Sequence, residues 1–370
     1  MLILIILGGK IMKMYKTIFY YSVMTGNRGD MAIRKSIVDA IKENLNVPFA
    51  FFNVKYEELT ESRIINQLNT ESSCLMVAGS GLYTNYPMKS GWYFPCDTKL
   101  FKKIEVPICL LGLGCNNNLG KDIFKGELKI EAQKSIKLIN DLSSISTVRD
   151  QRTYKLLNKL GIKKHKLMLD PANFLKVPQV PKEKRVAINL AQHSPALGRF
   201  DGGDEGQVNR GKNIDNFIKI GNYLGTKGYK IVFIAHDALE HSMITDLQKE
   251  LPDMEFVNTD NLDKMLHEYA RCQFSIGMKM HSNIMSFASG TPFISVYYDV
   301  KSIEYNKLIH WSEFGHSVFE DYYKWLKKKV DNLIENHEYY TKQFRKLKKI
   351  EQEDFNKLTE DICNTIKSSN

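Results

Sequence analysis

From Thr17 onward, short runs of β-branched and aromatic residues alternate with stretches whose apolar positions recur every three or four residues. Thr17–Val23 (TIFYYSV) has the character of a buried strand and ends near Gly26. Asp30 then opens a helix in which Ile33, Ile37, Ile41 and Leu45 form one apolar stripe. Further strands are predicted at Phe49–Val54, Cys74–Ala78, Pro107–Leu111, Ile145–Val148 and Leu167–Leu169, with helices over Ser62–Asn69, Glu127–Leu142 and Gln151–Leu160. Continuous apolar strands separated by amphipathic helices indicate a parallel sheet covered on both faces.

The alternation stops at Lys176–Lys184 (KVPQVPKEK), where two prolines among charges read as an exposed linker. It then restarts with strands at Arg185–Leu190, Lys230–Ala235, near Phe256, Gln273–Ile276 and Phe293–Val296. The intervening helices are Ile214–Gly225, Leu239–Leu251, Leu262–Arg271 and His281–Ser289. From Glu320 to Lys367 the chain is lysine-rich, helical in period and without a strand candidate. The expected division is an N-terminal α/β domain over 14–178, a second over 179–315, and helices over 316–370 that pack back on the first. Two doubly wound, Rossmann-like domains of this kind present a cleft between the carboxyl edges of their strands.

Composition adds limits. The balance of 43% hydrophobic and 25% charged residues excludes wholesale disorder. The longest apolar run, Leu2–Leu7, is far short of a bilayer span. The opening MLILIILGGKIMKM is expected to be a superfluous upstream start, with the fold beginning at Met12 or Met14; a short lipid-surface anchor is the other reading. Six cysteines without a C-x-x-C pair or a Cys/His cluster suit a reducing, cytoplasmic setting and give no metal site. The excess of 52 Lys and Arg over 42 Asp and Glu favours anionic partners. The basic residues are widely spread and no nucleic-acid motif accompanies them, so nucleic acid is not expected among those partners.

Candidate chemistry lies at strand ends. Asn27, Gly29 and Asp30 sit where the first strand turns into the first helix, a place where backbone N–H groups meet anions. Helix capping accounts for Asp30 as well as a catalytic role does. Gly79-Ser80-Gly81 and Gly112-Leu113-Gly114 follow two further strands and are assigned to the cleft or acceptor side. Neither completes a dinucleotide fingerprint, and no P-loop is present, so no cofactor is expected. Arg149, at the end of ISTV, can hold phosphate or carboxylate in two-pronged fashion. Phe274–Lys301 carries the densest signal. Gly277 ends a strand, and Lys279 and His281 then lie on the turn into a small-residue helix. The long glycine-rich segment Gln192–Lys212, with Arg199, is read as an acceptor-binding lid over the cleft, simple disorder being the other reading.

These segments, taken together, resemble a family. GNRGDMAI, STVRDQRTYKLLNKLG, LDPANF and IGMKMHSNIMSFASGTPFISVYYDVK are similar in order and spacing, across Thr17 to Lys301, to the polysaccharide pyruvyltransferases. The resemblance implies a GT-B-like fold and transfer of a pyruvyl group from phosphoenolpyruvate to sugar hydroxyls as a ketal. Asp30 matches the acidic residue after Gly-Asn-x-Gly, Arg149 the motif arginine, and His281 the histidine of Gly-x-Arg-x-His. Lys279 stands where the family usually has arginine, a point charge in place of a planar fork. On this reading His281 and Asp30 are catalytic, while Lys279, Arg149, Gly277 and Arg199 bind the donor. The acceptor is a cell-surface glycan or its lipid-linked precursor. Trp325 and the tyrosines of the basic tail also suit contact with an anionic membrane surface. The competing readings are a GT-B glycosyltransferase using a nucleotide sugar, and a non-catalytic relative that binds anionic glycans.

Overall fold

The computed structural model describes residues 4–7, 10–13, 16–21, 27–54, 58–84, 90–115, 128–191, 205–237 and 240–369. The chain starts with an antiparallel hairpin, β1 (Leu4–Leu7) and β2 (Lys10–Lys13), which forms a sheet of its own. The next elements are β3 (Lys16–Tyr21), α1 (Arg28–Asn44), β4 (Phe49–Val54), α2 (Ser62–Glu71), β5 (Cys74–Ala78) and α3 (Thr98–Phe101). β6 (Ile108–Leu113), α4 (Ile130–Leu142), β7 (Ile145–Val148), α5 (Gln151–Lys159) and β8 (Lys166–Leu167) complete the first unit. The described strands pair in the order β4-β3-β5-β6-β7-β8, all parallel. Every residue of β5 and β6 is buried, as expected where helices cover both faces of a parallel sheet. Each such aliphatic side chain contributes roughly 1.5–3 kcal/mol of burial free energy.

A short 3-10 turn, Pro171–Phe174, leads to the second unit. This comprises β9 (Glu183–Asn189), α6 (Glu205–Thr226), β10 (Lys230–Ile234), α7 (His241–Glu250), β11 (Glu255–Val257), α8 (Leu262–Arg271) and β12 (Cys272–Gly277). It continues through α9 (Met280–Ala288), β13 (Phe293–Tyr297), α10 (Val300–Leu308), β14 (Gly315–Ser317), α11 (Tyr323–Glu335) and α12 (His337–Ser368). Its order is β11-β10-β9-β12-β13-β14, again all parallel. Two Rossmann-like domains are therefore present, the expected fold class.

The 32 residues of α12 span about 48 Å and tie the units together. Phe344 packs on Trp311 at 4.4 Å in the second unit, and Phe355 stacks on Phe174 at 4.3 Å beside the first. Among the described residues no helix is long and apolar enough to cross a membrane. All six cysteines are free and buried.

Several sequence expectations change. Asn27, not Asp30, caps α1: Gly29 N donates to Asn27 Oδ1 at 2.9 Å, which leaves Asp30 inside the first turn. α9 starts one residue before His281, with Lys279 at the cap. The strand placed at Leu167–Leu169 is the pair Lys166–Leu167, because Asp170 and Pro171 open the turn that follows. α10, α3 and the short edge strand β14 had no expectation. Gln192–Lys212 is not a continuous loop, since α6 begins at Glu205. Residues 192–204, and with them Arg199, lie outside the described residues.

Candidate active site

Each sheet has one point where the strand order reverses, between β3 and β5 in the first and between β9 and β12 in the second. Open α/β sheets bind ligands at the carboxyl ends beside such points. Here the two points meet. A Cβ placed on Gly29, in the first turn of α1, would lie 2.2 Å from His281 Nδ1 on α9. Only a residue without a side chain lets the imidazole come this close to the helix.

Asp170 organises the cluster. It caps the Pro171–Phe174 turn, with Ala172 N donating to Oδ1 at 3.0 Å. Its Oδ2 accepts from Arg149 Nη1 at 2.8 Å and lies 3.6 Å from His281 Nε2. Burial works against the ionised Asp170, but the His281 ring, the Arg149 charge and the Ala172 N–H outweigh it and hold the carboxyl below its usual range. Asp30 goes the other way. Burial raises its proton affinity, against the opposing charges of His281, Arg149 and Lys301. Two carboxyls pushed in opposite directions in one cluster is a recurring arrangement in acid–base catalysis.

Lys279 sits one turn away with acids of its own. Its ammonium contacts buried Glu240 and lies 3.8 Å from Asp237. Burial, opposed by Lys279, raises the proton affinity of Glu240, whose Oε2 accepts from His236 N at 2.7 Å and Asn189 Nδ2 at 3.1 Å. His236, buried against Tyr269 Oη at 2.8 Å, is held well below the ordinary histidine range by burial and by the Lys279, His281 and Arg28 charges. Across the cleft, Arg28 reaches Asn258 Oδ1 and Asp260 Oδ1, both at 3.0 Å, and donates to Thr259 O at 3.3 Å.

The structure thus gathers Asn27, Gly29, Asp30, Arg149 and His281 in one cluster, with Lys279 beside it. Gly277 is packed against Ser282 and Asn283, fixing the β12–α9 turn. Gly114 leaves room for the buried Arg149 side chain, since a Cβ there would lie 2.8 Å from its Nε. Gly79 and Gly112 face inward, towards Ile33 and Pro171 respectively. Ser80, with φ of +65°, and Gly81 are partly exposed at the end of β5. Asp170, Glu240 and His236 had no role in the sequence reading. Asp170 stands inside the quoted LDPANF motif, which was the available signal; nothing near Glu240 or His236 in the sequence marks them. Among the described residues no group of three His, Cys, Asp or Glu side chains could hold a metal ion.

The polysaccharide pyruvyl transferase family model matches residues 27–300, from the α1 cap to the first residue of α10. The chain belongs to the polysaccharide pyruvyl transferase family. It is accordingly a transferase that modifies polysaccharide. No curated protein matches the sequence. Among solved structures, this family member is similar in fold to the UDP-GlcNAc 2-epimerase of Neisseria meningitidis bound to UDP-GlcNAc. That likeness has a TM-score of 0.53 and 10% identity, covering 92% of this chain and 99% of that one. A putative UDP-N-acetylglucosamine 2-epimerase from Listeria monocytogenes gives a TM-score of 0.56 at 10% identity, covering 89% and 90%. The UDP-GlcNAc 2-epimerase of Methanocaldococcus jannaschii gives 0.53 at 11%, covering 86% and 92%. At these identities the likeness concerns the GT-B fold.

Proposed function

We propose that the protein transfers a pyruvyl group from phosphoenolpyruvate to two hydroxyls of a glycan, or of its lipid-linked precursor, forming a ketal and releasing phosphate. The observation that carries this reading is the Asp30–His281–Asp170–Arg149 cluster at the meeting of two strand-order reversals. Phosphoenolpyruvate brings a carboxylate and a phosphate, and Arg149 and Lys279 supply cations on either side of His281. The raised proton affinity of Asp30 suits it to give a proton to the methylene carbon. As a carboxylate it then takes the proton of the first attacking hydroxyl, so the hydroxyl has added across the double bond. His281, with the Asp170 carboxylate 3.6 Å from its Nε2, offsets charge on the departing phosphate. The second hydroxyl closes the ketal at the oxocarbenium-like carbon, and its proton leaves with the phosphate. No separate cofactor enters this scheme.

A glycan acceptor carried on lipid would bring the enzyme to a bilayer. The outer face of α12 supports this, since Tyr339 (60% exposed) and Ile350 (54%) stand among Lys342, Lys346 and Lys349. Salt-sensitive co-sedimentation with anionic vesicles is expected, and its absence would remove the membrane from the proposal.

The decisive experiment is incubation with phosphoenolpyruvate and a panel of glycans, following phosphate release and added pyruvyl mass. His281→Ala and Asp30→Asn should each abolish both signals in a folded protein. Release of nucleotide from a nucleotide sugar instead would favour a glycosyltransferase.

A further inference from the structure

Along α1 from Asp30, roughly 9–21 Å away, a cavity of about 500 Å3 lies against the carboxyl halves of α1 and α9, closed by the linker after Phe174 and by α12. Its wall carries cations without matching acids. Lys348 Nζ donates to Ala288 O at 2.6 Å and Leu175 O at 3.3 Å, and among the described residues no carboxylate pairs with it. Burial pushes that ammonium down to about 8. Beside it, Arg345 lies across Gly290 and has no hydrogen-bond or ion-pair partner among the described residues. Lys182 donates to Thr291 Oγ1 next to this wall, and burial together with the Arg345 charge pushes it down to about 8. The two acids that line the cavity are already engaged, Asp39 by Lys35 at 2.9 Å and Glu43 by Lys176. A partly buried ammonium such as Lys348 with no counter-charge is costly, and an anion between it and the exposed Arg345 offsets the cost. The stacked rings of Phe174 and Phe355 give the same cavity an apolar wall.

We propose that this cavity binds a phosphate ester with a compact organic part, a sugar phosphate or nucleoside monophosphate, its phosphoryl group held by Arg345 and Lys348. The volume lies within the range of small-molecule sites and exceeds what bare phosphate needs. The bound ester would brace α1 against α9, the two helices whose opposite ends carry Asp30 and His281. The site is thus placed to regulate the reaction centre without touching it.

Calorimetric titration of the full chain with glucose 1-phosphate, uridine monophosphate and inorganic phosphate tests this. At least one ester should bind more tightly than inorganic phosphate and raise the thermal midpoint. Arg345→Ala, an exposed substitution, should weaken that binding at least about tenfold, the loss of one charge-assisted contact. Lys348→Met should weaken it in the same direction. His281→Ala should leave it within about twofold, whether or not the reaction assigned to that residue is correct. Failure of both esters to bind, binding no tighter than inorganic phosphate, or binding that survives Arg345→Ala and falls with His281→Ala would overturn the proposal.

Discussion

Gly29→Ala puts a single methyl group where the two units touch. The new Cβ would stand 2.2 Å from His281 Nδ1, 2.4 Å from Cγ and 2.7 Å from Cε1, whereas ordinary contact begins near 3.4 Å. The ring must therefore retreat by about 1.2 Å, because the backbone of α1 is fixed by the Asn27 cap and the sheet beneath it. Crowding of this kind costs about 1–3 kcal/mol, while replacing glycine by alanine within a helix returns about 1 kcal/mol. Net stability should fall by no more than about 2 kcal/mol. Turnover should suffer far more, since displacement of a reacting group by about 1 Å costs on the order of 100-fold in rate. Urea denaturation followed by phosphate-release kinetics on the same preparation separates the two effects. A Gly29→Ala protein with near-normal turnover would refute the placement of His281 in the reaction.

Asp170→Asn strips the buried Arg149 of its carboxylate and should cost about 3–5 kcal/mol, read by urea titration. Because Asp170 is held below its usual range, its contribution is present above the unfolded pKa and disappears as acid is added through the folded one; the variant should lose that limb of the stability–pH curve. Lys279→Met leaves Glu240 buried without its cation, so its carboxyl should rise further. The folded state then binds the extra proton, and thermal melts should show stability falling as pH rises from about 4.3, by about 1.4 kcal/mol for each tenfold gain in proton affinity. Arg28→Ala removes contacts that join α1 to residues 258–260, and small-angle scattering should report a larger radius of gyration than that of the parent. An unchanged radius would show that other contacts hold the cleft.

The α/β alternation was legible because fully buried strands such as Cys74–Ala78 and amphipathic helices such as α1 leave strong local patterns. The ends of elements were less so. Asn27 and Asp30 are both good capping residues three positions apart, and only the hydrogen bond to Gly29 N decides between them. α10 escaped because its apolar stripe is weak and its docking rests on polar contacts, among them Tyr305 Oη donating to Asn173 Oδ1 at 2.6 Å. Asp30, Arg149 and His281 were reached through strand-end placement and family resemblance. Their partners were not, since Asp170 lies 111 positions from His281, and Glu240 meets Lys279 only once β9 and β12 are paired. Such pairs arise from tertiary packing, which local pattern does not encode.

The imidazole and the carboxylate 3.6 Å from it arrive from opposite sides of a seam: Asp170 follows the first sheet, and His281 leaves the second. A glycan that props the two units apart by an ångström therefore separates the pair, however well its sugars are bound. On the proposed reaction, a chain that is held without bringing the pair together is left unmodified, so occupancy and modification become separate events.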